Sequence, residues 1–513
     1  MLLVFLIILL PLVISHILII LQWGDKEFKY AIYLSSGGMV LGWVILLFVR
    51  PQLPIRFALP SLGKEVFFPN PPAFLIDQIA WVFAISLFSF GTAVILIDSK
   101  HVRRLPAWVM GLLVVGLLTI FSANPFTLSY SWVFFDVLIL LCVIFEGSED
   151  MSWTRIVNAF AMRFLGIFLV VVASLLAYRQ GLILEFDSIF PFVAPYLIVA
   201  GSLRLGIWLP SSVFKDDSKF EFLLRMFSSV TSLLLIVRTA NVNVFPAFQP
   251  IFLIVFMSTS LIAGIRWAFS NHQRGILQGW IVGMSSLAIV FAILGYPRTS
   301  FVWGFTTFLM GSFPFLAYSG SIPYLVFGLL SFLGLVALPF MPLWFGAGVV
   351  VSMGWGLFIG INHGLLAGGY LKLISKKYKI RSELSFGELL PSFMGLVFLL
   401  ITQVVALSLV SGYIWDLSSR MTNWWMNIIS IAVILGVIAW DRFSLSVPEF
   451  VSKGFSVFHT IPRFLNHLLK ILYTFFNRLL TVMTDVFEGE GGLIWSLLGA
   501  FLLITLLASL RGG

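Results

Sequence analysis

Apolar residues in this chain neither alternate nor recur with a helical step; they form unbroken runs separated by short clusters of charge, proline and glycine. The runs are roughly 17–25 residues long, enough for a helix to cross ~30 Å of hydrocarbon. A membrane β-barrel would instead show segments of ~10 residues with alternating character. Inside lipid every backbone N–H and C=O must be satisfied within the protein, so a run of this length reads as a helix. About sixteen candidates lie near 1–22, 30–49, 75–97, 107–123, 126–146, 156–177, 186–208, 221–238, 248–270, 277–296, 301–317, 321–341, 343–366, 388–412, 424–440 and 491–510. The first run lacks a basic leader and a small-residue cleavage site, and reads as a retained span. The stretches 186–208 and 301–341 carry several glycines and prolines and are the least regular. The pattern predicts an all-α, polytopic transmembrane helix bundle of about 14–16 spans.

After Asp441–Arg442 the pattern changes. From Phe455 to about Asp485, His459, Arg463, Asn466, His467, Lys470, Thr474, Asn477, Arg478, Thr481 and Asp485 recur at helical spacing, and Phe458, Ile461, Leu465, Leu468, Leu472, Phe475, Phe476 and Leu479 fill the other face. A helix with two such faces lies along the membrane interface. Its ~30 residues would reach roughly 45 Å. Gly489–Gly492 breaks it, and Leu493–Leu507 reads as a last span. The expected organisation is a helix bundle over 1–442, a lateral amphipathic helix over 443–488 and a transmembrane anchor over 489–513.

Composition removes the soluble alternatives. Of 513 residues 60% are hydrophobic and 10% charged, with a mean hydropathy of +1.05. Soluble domains carry about 25% charge, so no sizeable part of this chain is expected to fold in water. The net charge of +9 would suggest nucleic acid in a soluble protein. Here the basic residues fall in short loops, the ordinary bias of membrane topology, and no nucleic-acid partner is expected. Lys100–Arg104, His272–Arg274 and Lys372–Arg381 each follow an odd-numbered run, which puts them in the cytoplasm and the N-terminus outside. The segment 50–74, with Arg50, Arg56 and Lys64, runs against that bias. Cys142 is the only cysteine, which excludes an internal disulfide and a cysteine metal cluster.

No phosphate loop, zinc-binding pair or nucleophile elbow is present, so neither a catalytic motif nor a cofactor or metal is expected in this chain. The informative residues are ionisable groups inside runs, each costly in lipid and a functional candidate for that reason. Asp77 opens the third run, Asp136 lies midway in the fifth, Arg163 in the sixth and Arg204 in the seventh. Arg225 and Arg238 bracket the eighth, Arg266 lies late in the ninth, Arg274 opens the tenth and His363 sits near the end of the thirteenth. Buried ion pairs or snorkelling side chains would account for the same residues, most readily for Arg225, Arg238 and Arg266 at run ends. The candidates for a proton or ion path are Asp136, Arg163, Arg204, Arg274, Asp77 and His363. The seventh run is entered by Pro191 and Pro195, loosened by Gly201 and Gly206, and closed by Pro210. Interrupted helices of this kind line water-filled cavities in transporters.

The order of these features resembles the antiporter-like, proton-conducting membrane subunits of respiratory complex I (NADH-quinone oxidoreductase) and of multisubunit sodium/proton antiporters. The likeness runs over roughly residues 70–370, with the tail in addition. It is carried by FLIDQIAWVFAISLFSFGTAVIL with Asp77, SANPFTLSYSWVFFDVLILL, TRIVNAFAMRFLGIFLVVVASLLAY, LRLGIWLPSS, FLLRMFSSVTSLLLIVRTANV, SNHQRGILQGWIVG and LLSFLGLVALPFMPLWFG. The family's fifth-span glutamate falls on Val133, with Asp136 one turn later. Its seventh-span lysine falls near Val199, its motif histidine on Gly206, and the lysine of a later motif on Arg274. Lysine can lose a proton when desolvated, whereas arginine keeps it. The chain thus keeps the scaffold and loses most of the titratable set.

The resemblance implies a divergent subunit of a larger assembly, set in the lipid bilayer of a bacterial or archaeal-type inner membrane beside other membrane subunits, and taking part in translocation of protons or sodium ions. If that assembly is an enzyme, the redox chemistry lies in other chains. A non-conducting scaffold that braces its neighbours is the alternative, and an unrelated small-solute transporter is a third.

Overall fold

A computed structural model describes residues 2–22, 30–59, 71–98, 104–146, 153–207, 219–242, 247–269, 273–316, 322–336, 353–378, 386–410 and 424–443, and Thr474. The chain divides into two units, Met1–Leu445 and Ser446–Gly513. The expected lateral helix and final span lie outside the described residues. Within the first unit the helices are α1 Leu2–Gln22, α2 Ala31–Val49, α3 Gln78–Asp98, α4 Leu105–Ile120, α5 Pro125–Glu146, α6 Trp153–Arg179, α7 Ala194–Arg204 and α8 Lys219–Thr239. They continue as α9 Gln249–Phe269, α10 Gln273–Ile293, α11 Pro297–Leu316, α12 Ile322–Leu335, α13 Met353–Tyr378, α14 Phe386–Val410 and α15 Trp424–Arg442. Eight of the described helices are long and apolar enough to cross a membrane. The protein is an integral, all-α membrane protein.

The apolar runs become helices of two kinds. α3 and α8 are buried along almost their whole length, whereas α6 and α15 leave most of theirs uncovered. A fully enclosed helix must let its neighbours approach closely, and small residues permit that. α3 accordingly carries Ser86, Ser89 and Thr92, and α8 carries Ser228, Ser229, Thr231 and Ser232, all buried. Most of these hydroxyls return to their own helix. Ser86 Oγ donates to the Val82 carbonyl at 2.7 Å, Thr92 Oγ1 to Phe88 at 2.8 Å and Thr231 Oγ1 to Ser228 at 2.8 Å. These three hydroxyls thereby leave no donor facing the apolar core, whereas Ser228 Oγ is buried without a partner. Leu175, Phe164 and Phe168 of α6 and Leu435 of α15 are exposed instead, as a lipid-facing surface requires.

α13 and α15 pack along a glycine stripe. A Cβ on Gly360 would come within 3.0 Å of the Met426 carbonyl, one on Gly364 within 2.7 Å of the Ser430 carbonyl, and one on Gly368 within 2.9 Å of Val437 Cβ. The spacing of four residues puts all three on one face.

At one end of the bundle the connections knit together. Strands β1 (Ile55–Ala58) and β2 (Ala73–Ile76) pair antiparallel, with Ile55 opposite Ile76 and Ala58 opposite Ala73. Leu75 N donates to the Phe121 carbonyl at 2.6 Å, Ala123 N to Ala73 at 2.9 Å and Phe186 N to Ala123 at 2.9 Å. The segments after α2, α4 and α6 therefore share one face, as alternate crossings demand. Arg56 pairs with Glu185, and with Asp187 at 3.3 Å. The hydrogen bond to Glu185 raises the Arg56 pKa.

Two boundaries differ from the sequence reading. The run 186–208 yields only an 11-residue α7, because Glu185 and Ser188 form an isolated bridge and the backbone turns before Ala194. The run at 343–366 becomes α13 over Met353–Tyr378, so Lys372 belongs to a helix and not to a loop. It is buried, donates to the Ala268 carbonyl at 2.9 Å and lies 3.4 Å from Asp441.

Candidate functional site

α7 is the element that builds the site. At 1.5 Å per residue its 11 residues rise about 16 Å, roughly half of a bilayer core. Pro195 lies in its first turn and Arg204 in its last. Gly206 then takes a left-handed φ of 73°. Ile207 N donates to the Ser202 carbonyl at 3.2 Å and Gly206 N to Leu203 at 3.1 Å, a glycine stop that satisfies the last carbonyls. The negative end of the helix dipole favours a cation there. The broken seventh run thus delivers Arg204 to the middle of the bundle.

Asp136 waits midway along α5. Its Oδ2 accepts from Arg204 NH1 at 2.8 Å, and its Oδ1 accepts from Arg204 NH2 at 2.8 Å and from Arg163 NH1 at 3.0 Å. The side chains are 10% exposed for Asp136, 9% for Arg163 and 0% for Arg204. α6 and α7 come close enough for this because of Gly166, where a Cβ would meet the Ala200 carbonyl at 3.1 Å and Arg204 Cγ at 3.2 Å. The Arg204 guanidinium also stacks on Trp132, 4.3 Å from the ring centre. Trp132 precedes Asp136 by one turn of α5. Val133, by contrast, is an exposed residue, so the inward position of this helix belongs to Asp136.

This arrangement holds charge in place. One carboxylate takes three hydrogen bonds from two guanidiniums, and end-on binding by Arg204 fixes the carboxylate plane. Arginine keeps its proton, so neither guanidinium can hand one on.

The other candidates lie elsewhere. Asp77 caps α3, accepting from Ala80 N at 2.7 Å, and its Oδ2 lies 3.6 Å from Arg238 NH2. Arg238 is buried at the end of α8 and donates to the Ser122 carbonyl at 2.6 Å, which ties α8 to the knitted end of the bundle. Arg225 pairs with Glu221 on its own helix at 2.7 Å, and Arg266 is exposed. Arg274 is in the first turn of α10, and its side chain lies outside what the structure describes.

His363 occupies a second buried polar site. It lies well inside α13, where Nε2 contacts the Leu335 carbonyl at 2.7 Å and Nδ1 contacts Ser430 Oγ at 3.1 Å. A carbonyl only accepts, so Nε2 carries a proton. Ser430 Oγ also lies 2.9 Å from the Gly360 carbonyl, so its single proton serves either that carbonyl or Nδ1, and Trp303 sets its edge against the imidazole with ring centres 5.4 Å apart. Nearby on α13, Tyr370 Oη donates to Ser331 Oγ at 2.9 Å. The sequence reading missed Ser430 and Trp132. The recurrence of glycine at 360, 364 and 368 was the available signal for the first. An aromatic residue one turn before a buried aspartate was the signal for the second.

No family model matches the chain, and no curated protein matches it. Solved structures do. Against a chain of the Mrp complex from Dietzia sp. DQ12-45-1b the TM-score is 0.67 at 12% identity, over 100% of this chain and 63% of that one. Against a chain of the membrane-bound sulfane sulfur reductase, an archaeal respiratory membrane complex, it is 0.65 at 14% identity, over 98% and 99%. This chain shares their fold. The resemblance read from the sequence to antiporter-like membrane subunits holds at that level. The chain spans just under two thirds of the length of its Mrp neighbour.

Proposed function

We propose that this protein is a membrane subunit of an antiporter-like, multisubunit assembly, and that its Asp136 site serves as a fixed electrostatic and structural anchor and not as a proton relay. The observation that carries this reading is the three hydrogen bonds that clamp one carboxylate between Arg163 and Arg204. A relay needs a group that changes protonation as the ion passes. The arginines cannot, and they hold the carboxylate. The fold of the two solved neighbours supports membership in a membrane complex, with other membrane subunits as partners. The proposed lateral helix over 443–488 would brace those partners along the interface of a bacterial or archaeal-type inner membrane, with 489–513 as its anchor.

The experiment is Asp136→Asn, with assembly and ion translocation measured separately in reconstituted vesicles. An anchor predicts less assembled complex and unchanged translocation per complex. Full assembly with translocation abolished would overturn it.

A second reading is favoured by one observation, the line from His363 through Ser430 to the Gly360 carbonyl. Imidazole can take and release a proton. If the chain conducts protons, His363 is the residue the geometry supports, and His363→Gln would slow translocation without loss of assembly.

A further inference from the structure

The Asp136 cluster does not balance its charge. One carboxylate faces two guanidiniums, which leaves one positive charge in excess. Among the described residues nothing corrects this: the further charge beside Arg163 is Arg225, and Arg225 is matched by Glu221 at 2.7 Å. An uncompensated charge at this depth is expensive.

Three buried donors in the same region also lack a partner: Arg204 Nε, Trp132 Nε1 and Ser129 Oγ. An arginine offers two edges for paired hydrogen bonds. Asp136 takes the end formed by NH1 and NH2, which leaves the side edge with Nε. The indole N–H can only donate, so an acceptor is what it lacks. Ser129, Trp132 and Asp136 follow one another at steps of three and four and share one face of α5. Excess positive charge and orphaned donors call for the same thing, a small acceptor that carries negative charge.

We propose that the Asp136–Arg163–Arg204 cluster binds a small monovalent anion of the chloride class, held by Arg204 Nε and the Trp132 indole N–H, with Ser129 at its edge. The proposal rests on the fixed charge of the cluster read above, but not on the role of the protein in an assembly. A bound anion would neutralise the excess charge and complete the hydrogen bonding of Arg204 without any change in the helices.

The test uses the purified full-length chain in detergent. Its thermal midpoint is measured in sodium chloride and in sodium gluconate at equal ionic strength, gluconate being too bulky for the site. The expected result is a chloride-dependent rise that saturates. Trp132→Phe keeps the ring under Arg204 and removes the N–H, and should weaken the apparent chloride affinity by about tenfold, the effect of one hydrogen bond to a charged group. Anomalous scattering from bromide-soaked wild-type crystals should place a peak beside Arg204 Nε, and does not depend on a variant folding. Equal midpoints in the two salts, an unchanged chloride response in Trp132→Phe, or no bromide at Arg204 would each overturn the site. Because none of these readouts involves assembly, a failure here leaves the Asp136→Asn result to judge the anchor by itself.

Discussion

The two buried polar sites are assembled alike and behave differently. Each takes its members from three helices: α5, α6 and α7 for Asp136, Arg163 and Arg204, and α12, α13 and α15 for Leu335, His363 and Ser430. The first contains permanent charge, held by short bonds on every side of one carboxylate. The second is a line of neutral donors and acceptors around a residue that can titrate. In a low-dielectric interior a permanent charge is stable only while its partners stay in place. A neutral line can reorganise at less cost. On the proposed reading, rigidity belongs to the α5–α7 side and any proton exchange to the α13–α15 side.

The contrast is broken most severely at Asp136. Asp136→Asn leaves two buried guanidiniums without a counter-charge and should destabilise the protein by about 3–5 kcal/mol, seen as a lower thermal midpoint and less assembled complex. A loss under 1 kcal/mol would mean that the cluster is hydrated and not clamped.

On the other side the weak point is packing. Gly364→Leu puts a side chain where even a Cβ meets the Ser430 carbonyl at 2.7 Å. Overpacking of this kind costs typically ~1–3 kcal/mol, and the displaced Ser430 should perturb the His363 imidazole resonances by NMR. Unchanged resonances would detach Ser430 from the histidine site. His363→Phe should cost less than Asp136→Asn, about 1–3 kcal/mol for the Leu335 carbonyl it orphans. An effect equal to that of Asp136→Asn would erase the distinction between the two sites. The smallest effect is expected outside both. Arg56→Gln removes an exposed ion pair with Glu185 and Asp187 and should change stability by less than ~1 kcal/mol, a thermal shift that shrinks further in high salt.

The helices were legible because the bilayer imposes a length on each, and the apolar runs between charges report that length directly. The fifteen helices of the described residues follow the predicted runs, apart from the two boundaries at α7 and α13. Both misreadings have one cause. Hydropathy does not distinguish a helix from an apolar turn, so 186–193 reads as span. Nor does it show that a lysine with a carbonyl and a carboxylate to bind continues a helix, as Lys372 does. Asp136 and Arg204 stood out in the sequence because charge in a long apolar run is rare. Their meeting did not, since the two are 68 positions apart and only the glycine stop at Gly206 fixes where α7 delivers the arginine. His363 was visible as a residue, but its partner Ser430 is one serine among many and gains meaning only from the glycine stripe that brings α15 against α13.

The most direct test of the anchor replaces the charge pair as a pair. Asp136→Asn with Arg204→Gln removes one negative and one positive charge and keeps the net charge of the cluster, so the penalty of the single change should be largely relieved. Translocation per assembled complex, measured in vesicles reconstituted with this double variant, is expected to match the unsubstituted protein. Restored assembly without translocation would contradict the account, because it would show that the Asp136–Arg204 pair takes part in moving the ion.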